Sequence, residues 1–307
     1  MELYQHGKLL KEYRKRKNIS QEELCGTTCA VSTLSRIERG EQVPDRKLIQ
    51  IFFERLGMSV PPLDIPMNKI EFERYNLEVQ IQNMVAAGNY SILELLEKYN
   101  SYDDKMNRFE LQFFKFYTVV YELRNNKKSK YEVLQHFCDA MNLTIAGFNS
   151  DSDLNNYLFS NIEILILVNL SITEYFCGQE AKAITRMEFL KKYFDNNEVE
   201  EKLKSQLYLL FLFHLSNWYG QSGNNQKAYE YADEGIKYCN LYGSLSLFPY
   251  FVFNKGYALA EKGLMEEGKS YIKNSFDIMK LLGKQEDIQK GIEEVNNKFG
   301  FDFSLRF

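Results

Sequence analysis

Only five prolines occur in 307 residues, and three of them, Pro61, Pro62 and Pro66, crowd into the single stretch VPPLDIPMN. Elsewhere almost nothing forbids long helices, because the rings that break them are missing. Cysteine is equally sparse. Five scattered cysteines cannot frame a small disulfide-rich fold, so reduced thiols in a cytoplasmic protein are expected. Cys25 and Cys29 stand four apart, as two metal ligands might. No second Cys or His pair follows, so incidental thiols are expected and neither a metal nor a cofactor is. The three histidines, His6, His136 and His214, have no nucleophile or acid at a motif spacing, and no glycine-rich phosphate loop is present. An enzyme is therefore not expected. Long apolar runs are also missing. The most apolar stretch, Ile162 to Leu170, is too short to span a bilayer and carries Glu163 and Asn169. The opening MELYQHGKLLKEYRKRK lacks the apolar centre of a signal peptide.

What is abundant is aromatic. Twenty-one tyrosines and 23 phenylalanines, beside so little proline, favour bulky packing between helices. Charge is uneven. Residues 1–60 carry a balance of +3, whereas the remainder carries −7. Polyanion binding is thus better placed on the first sixty residues than on the rest. The proline cluster divides the two parts: a domain over 1–60, a semi-rigid linker over 61–67, and a larger domain over 68–307.

The small domain reads as four or five helices. The first spans about Gly7 to Lys17, with Leu9, Leu10 and Tyr13 on one face. Ser20 caps the second, and Glu23 three residues on completes a capping box, with Leu24 supplying the core contact. A third, Val31 to Arg39, turns Leu34 and Ile37 inward and ends at Gly40, a residue suited to the left-handed position past a helix. Pro44 suits the first turn of a fourth, with Leu48, Ile51, Phe52 and Leu56 inward, closed by Gly57. The stretch ISQEELCGTTCAVSTLSRIERG, residues 19–40, therefore has the layout of a helix-turn-helix, with short polar side chains placed to enter a major groove.

The large domain reads as helical throughout and internally repetitive. Breaks recur at Gly88-Asn89, Asn125-Asn126, Gly178, Gly223-Asn224 and Gly263. A small residue follows five positions after each of the last three, at Ala183, Ala228 and Gly268, and an aromatic-rich helix precedes them. Small residues let paired helices approach and aromatics fill the gaps between pairs, the logic of a stacked-hairpin solenoid. A single irregular helical bundle is the alternative. Asparagines share the phase: Asn169 and Asn254 each lie nine residues before a break, His214 holds that place in the middle repeat, and Asn217 follows one turn later. An amide can donate and accept at once, matching the backbone of an extended peptide, with Phe213, Phe253 and Tyr257 as side-chain pockets. The plain alternative is that these residues are exposed or bond neighbouring helices. Paired acids such as Glu266-Glu267 and Glu293-Glu294 read as solvated faces.

Residues 7–57 resemble the Cro/C1-type (XRE) helix-turn-helix family through SQEEL at 20–24, SRIERG at 35–40, Pro44, and RLG at 55–57. The turn departs from the family, GTTCAVS being one residue short. The resemblance implies that Gln21 bonds a phosphate or reaches a base edge. It places Val31, Ser32, Thr33 and Arg36 toward the groove, and helical spacing sets residues 32, 33 and 36 opposite Leu34 and Ile37. Arg36 is the candidate for a bidentate bond to guanine and Val31 for a thymine methyl. Lys17, Gln42 and Arg46 are candidate phosphate contacts. The competing reading leaves Arg36 and Arg39 merely in solvent.

A helix-turn-helix domain followed by a tetratricopeptide-like (TPR-like) solenoid resembles the RNPP family of Gram-positive quorum-sensing regulators. That resemblance implies an all-α cytoplasmic homodimer that binds a double-stranded DNA operator and senses a short signalling peptide in its concave groove. The acidity of the larger domain suits a peptide bearing a Lys, an Arg or a free amine. Other readings stay open: a TPR adaptor or a regulator controlled by a protein partner instead of a peptide, and a peptide-regulated inhibitor or phosphatase, against which the helix-turn-helix argues.

Overall fold

The computed structural model describes residues 4–58, 68–102 and 105–303. Among the described residues, fifteen helices account for the secondary structure and there is no strand. The expected linker at 61–67 lies outside the described residues. The chain forms two compact units, one of residues 1–186 with 196–200 and the other of 187–195 with 201–307.

The first unit opens with α1 (Tyr4–Arg16), α2 (Gln21–Cys25), α3 (Val31–Arg39) and α4 (Arg46–Arg55). Their core joins Leu10, Leu24, Leu34, Ile37, Leu48, Phe52 and Leu56, with Leu9 and Tyr13 at its margin. The Ser20 capping box is formed: Glu23 N–H donates to Ser20 Oγ at 3.0 Å, and Ser20 N–H donates to the Glu23 carboxylate at 2.6 Å. One expectation fails. Pro44 precedes α4 instead of opening it, because Asp45 takes the cap and accepts from Lys47 N–H at 2.9 Å and Leu48 N–H at 3.1 Å. A side-chain acceptor satisfies two orphan donors that a proline at the first turn would leave open. Gly7 explains how closely α1 crosses α3: a β-carbon there would lie 2.0 Å from the Ile37 carbonyl oxygen.

The same unit continues with α5 (Lys69–Ala86), α6 (Leu93–Asn100), α7 (Arg108–Arg124), α8 (Lys130–Met141), α9 (Asn161–Phe176) and the start of α10 (Glu180–Asn196). Capping boxes at Asn68, Asn107, Ser129 and Ser160 start four of these helices. The small domain is seated on them. Phe109 and Leu158 pack against its core, Arg55 reaches Glu163, and Thr27 Oγ1 donates to the Thr144 carbonyl at 2.5 Å.

The second unit holds the rest of α10 with α11 (Glu201–Gln221), α12 (Asn225–Tyr242), α13 (Phe248–Glu261), α14 (Met265–Leu281) and α15 (Gln285–Phe299). Gly223 and Gly263 adopt left-handed turns where the repeat reading placed them. The small-residue positions pack as that reading requires: Ala228 is buried, and Gly268 meets Gly256 backbone to backbone across α13 and α14. Phe253 and Phe276 fill the next gap, with ring centres 5.8 Å apart.

Candidate nucleic-acid interface and ligand cleft

The recognition face is set from beneath by a buried ion pair. Arg14 of α1 donates through Nε and Nη2 to Glu38 of α3 at 2.6 and 2.9 Å, and through Nη1 to the Ile19 carbonyl at 2.8 Å. Such a fork is directional, so it fixes α3 in rotation as well as in depth. The bond to Glu38 holds the Arg14 guanidinium above its ordinary pKa. Gln21 joins the cluster, its Nε2 donating to Glu38 at 2.7 Å. That bond uses one of its two amide hydrogens and leaves the other, with the carbonyl oxygen, to a ligand.

Above this base, Val31, Ser32 and Arg36 are exposed, Thr33 is half-buried, and Leu34 and Ile37 face the core. Arg36 makes no side-chain hydrogen bond or ion pair among the described residues, whereas Arg39 is held by Glu41 at 2.6 and 2.8 Å and by Ser35 at 2.6 Å. A shallow cleft beside α3 is lined by Lys11, Gln21, Val31, Ser35 and Arg39. Lys8 and Lys15 extend it along α1. These lysines are not among the residues that the sequence marks; the N-terminal charge excess signals them, but a count does not place them on a face.

The expected phosphate contacts are less free. Lys17 pairs with Glu198 in the same unit, and its side chain is only 15% exposed. The Arg46 guanidinium lies 4.5 Å over the Tyr75 ring. Gln42 is half-buried in the loop before α4.

In the second unit a cleft of about 250 Å³ opens between α11, α13 and α15, with α14 beneath. Phe213, Asn217, Phe253, Asn254 and Tyr257 all line it. Asn254 Nδ2 donates to Ser216 Oγ at 2.9 Å, keeping the amide at the wall, while Asn217 makes no side-chain hydrogen bond among the described residues. His214 is not among the lining residues; its ring packs against Trp218, 4.9 Å between centres. Asn169 belongs to the other unit, where its amide donates to the Leu165 carbonyl of its own helix at 2.9 Å. The cleft also takes residues that the repeat phase did not mark: Tyr250, Asp287, Lys290 and Glu294. Glu294 is exposed, as expected of a solvated face, and stands at the edge of the cleft. Tyr250 donates to Asp287 at 2.6 Å, and burial pushes its hydroxyl pKa up.

Residues 10–63 match the family model for a helix-turn-helix. The chain carries an XRE-type helix-turn-helix domain at its N-terminus. No curated protein matches the chain. Among solved structures, PlcR of Bacillus thuringiensis, in complex with the peptide PapR7 and DNA, is 14% identical with a TM-score of 0.54 over 92% of this chain and 98% of that one. The apo competence regulator ComR of Streptococcus vestibularis is 15% identical, TM-score 0.52, over 97% and 99%. A Rap protein complexed with Competence and Sporulation Factor is 12% identical, TM-score 0.51, over 94% and 75%. Identities this low establish the fold alone: an all-α chain with a helix-turn-helix domain ahead of TPR-like helix hairpins, as in RNPP-type regulators. No helix among the described residues is long and apolar enough to cross a membrane.

Proposed function

We propose that the protein is a sequence-specific transcriptional regulator whose affinity for an operator is set by a short signalling peptide held in the second-unit cleft. The observation that carries the DNA half is the exposed, unengaged face of α3, with Val31, Ser32 and Arg36 outward on a helix whose rotation the Arg14–Glu38 pair fixes. Arg36 reads a base edge, Ser32 and Thr33 flank it, and Gln21 reaches a phosphate with its remaining amide hydrogen. The lysines of α1 add the sequence-independent attraction that makes such binding fall steeply with salt. A cytoplasmic homodimer belongs to this reading, because two copies of a helix-turn-helix read two half-sites.

The peptide half is supported by the cleft, where Asn217 and Asn254 stand among Phe213, Phe253 and Tyr257. PlcR, which shares the fold, was solved with both a peptide and DNA. An extended peptide would lay its backbone against the amides and an apolar side chain among the rings. Asp287 and Glu294 against Lys290 favour a basic group on that peptide. The peptide acts only if it binds one conformation of the protein better than another.

Selection from a random DNA library, repeated with Arg36→Ala, tests the first half. Relaxed base preference and a loss of about 1–3 kcal/mol are expected; unchanged preference removes Arg36 from the interface. Titration with short peptides encoded beside the gene tests the second. Binding by none of them, with DNA binding intact, favours a regulator governed by a protein partner.

A further inference from the structure

We propose that Cys25 and Cys29 form a peroxide-oxidisable thiol pair, a modification site in the turn that leads into the recognition helix. Their Sγ atoms lie 3.5 Å apart. A disulfide is about 2.05 Å long, so closure takes an approach of about 1.5 Å. The turn itself brings them together. Gly26, at φ +49°, reverses the chain directly after Cys25, and Thr28 N–H closes the loop onto the Cys25 carbonyl at 2.8 Å.

The two thiols are unequal in ways that suit the chemistry. Cys25 is fully buried and Cys29 half-buried, so an oxidant meets Cys29 first. The hydrogen bond from Cys25 holds the Cys29 thiol below its ordinary pKa against the opposing effect of burial, helped by Leu34 N–H and by Arg108 and Arg55. Cys25, as the hydrogen-bond partner, is pushed up. Thiolate character and access together pick out the oxidised residue.

In the first step the Cys29 thiolate attacks one peroxide oxygen. The O–O bond breaks, Cys29 becomes a sulfenic acid, and the departing hydroxide takes a proton to leave as water. In the second, the Cys25 sulfur attacks the Cys29 sulfur. The S–S bond forms, the S–O bond breaks, and the hydroxyl leaves with the Cys25 proton as a second water. Two thiols are oxidised by one peroxide, which is reduced to two waters.

Closure acts on two neighbours. Cys29 lies two residues before Val31, which opens α3, and the Cys25 carbonyl accepts from Arg55 Nη1 at 2.9 Å. Tightening the turn therefore shifts α3 against α2 and weakens DNA binding. That consequence rests on the DNA-binding reading; the thiol chemistry does not.

The test uses the full-length protein, reduced, treated with a few equivalents of hydrogen peroxide, alkylated and cut with trypsin. The peptide Asn18–Arg36 contains both cysteines. It should escape alkylation, weigh two hydrogens less, and regain both thiols with dithiothreitol. Full alkylation of both cysteines after peroxide overturns the proposal. Cys25→Ser should trap a sulfenic acid on Cys29, whereas faster oxidation of Cys25 in Cys29→Ser overturns the assignment of the first step. Retention of a sheared genomic DNA pool should be about tenfold weaker for the oxidised protein and recover on reduction. Equal retention refutes the coupling to DNA. If the reduced protein retains no DNA, the DNA-binding reading fails and the peptide masses alone decide the thiol pair.

Discussion

Arg55 of α4 and Glu163 of α9 meet at 3.3 Å with both side chains almost wholly out of water. The same guanidinium donates through Nη1 to the carbonyls of Leu24 and Cys25, at 3.0 and 2.9 Å, where α2 ends. Glu163 in turn completes the capping box of α9 with Ser160. One ion pair therefore ties the end of α2, the first helix of the helix-turn-helix, to the start of a repeat helix.

Arg55→Met should be severely destabilising, because it strands a buried carboxylate and two carbonyls at once. Removing one partner of a buried pair typically costs about 3–5 kcal/mol. Adding Glu163→Gln should recover part of that loss, since no uncompensated charge then remains. Urea unfolding of the two variants checks both signs. If the double variant is no more stable than Arg55→Met alone, the stranded charge is not the cause.

How much of this was legible is clear from Arg55 itself. RLG at 55–57 reads as the end of a helix, and it is one. The partner stands 108 residues away, and no local pattern carries a contact of that range. The helices around it were readable, since caps and turn glycines act over three or four residues. The repeat phase carries less: of the residues it marks, Asn254 lines the cleft and His214 does not, while Asn217, one turn out of phase, does. The contribution of α15 was not readable, because the repeating glycine spacing ends at Gly263 and Glu294 resembles any solvated acid.

The α13–α14 contact predicts a sharp difference between two glycines. A β-carbon at Gly268 would lie 2.7 Å from the Gly256 carbonyl oxygen and 2.8 Å from the Ala260 nitrogen, both backbone atoms with no flexible end to yield. Gly268→Ala should cost about 1–3 kcal/mol through overpacking. At Gly220 the nearest atom would be the Ala228 β-carbon at 3.8 Å, an ordinary contact. Gly220→Ala should therefore be neutral or stabilise the helix by about 0.5–1 kcal/mol. Thermal unfolding of the pair is the check, and equal melting temperatures would contradict it.

Asp233 supplies the pH dependence. Its carboxylate pairs with Lys237 at 2.7 Å and accepts from Lys255 at 2.6 Å, and these two bonds, Lys237 first, hold its pKa below the ordinary value. A depressed folded-state pKa gives stability that is present above the unfolded value, about 3.9, and is lost as pH falls through the folded one. Wild type should thus exceed Asp233→Asn in melting temperature at neutral pH, and the gap should narrow below about pH 4. A gap constant from pH 7 to pH 3 would assign the difference to packing instead.

The cleft predicts which amides touch a peptide. Asn254 keeps its carbonyl oxygen and one N–H after donating to Ser216, and Asn217 keeps its whole amide. If the peptide backbone bonds to them, Asn217→Ala and Asn254→Ala each leave a buried peptide group unpaired, at about 1–3 kcal/mol of binding. His214 is in phase with the asparagines yet packs on Trp218 and does not line the cleft, so His214→Ala should leave affinity unchanged. Calorimetric titration of the three variants separates the readings. Losses at 217 and 254 with none at 214 place the backbone along α11 and α13. An equal loss at 214 would mean that the repeat phase, and not the cleft observed here, describes the binding surface.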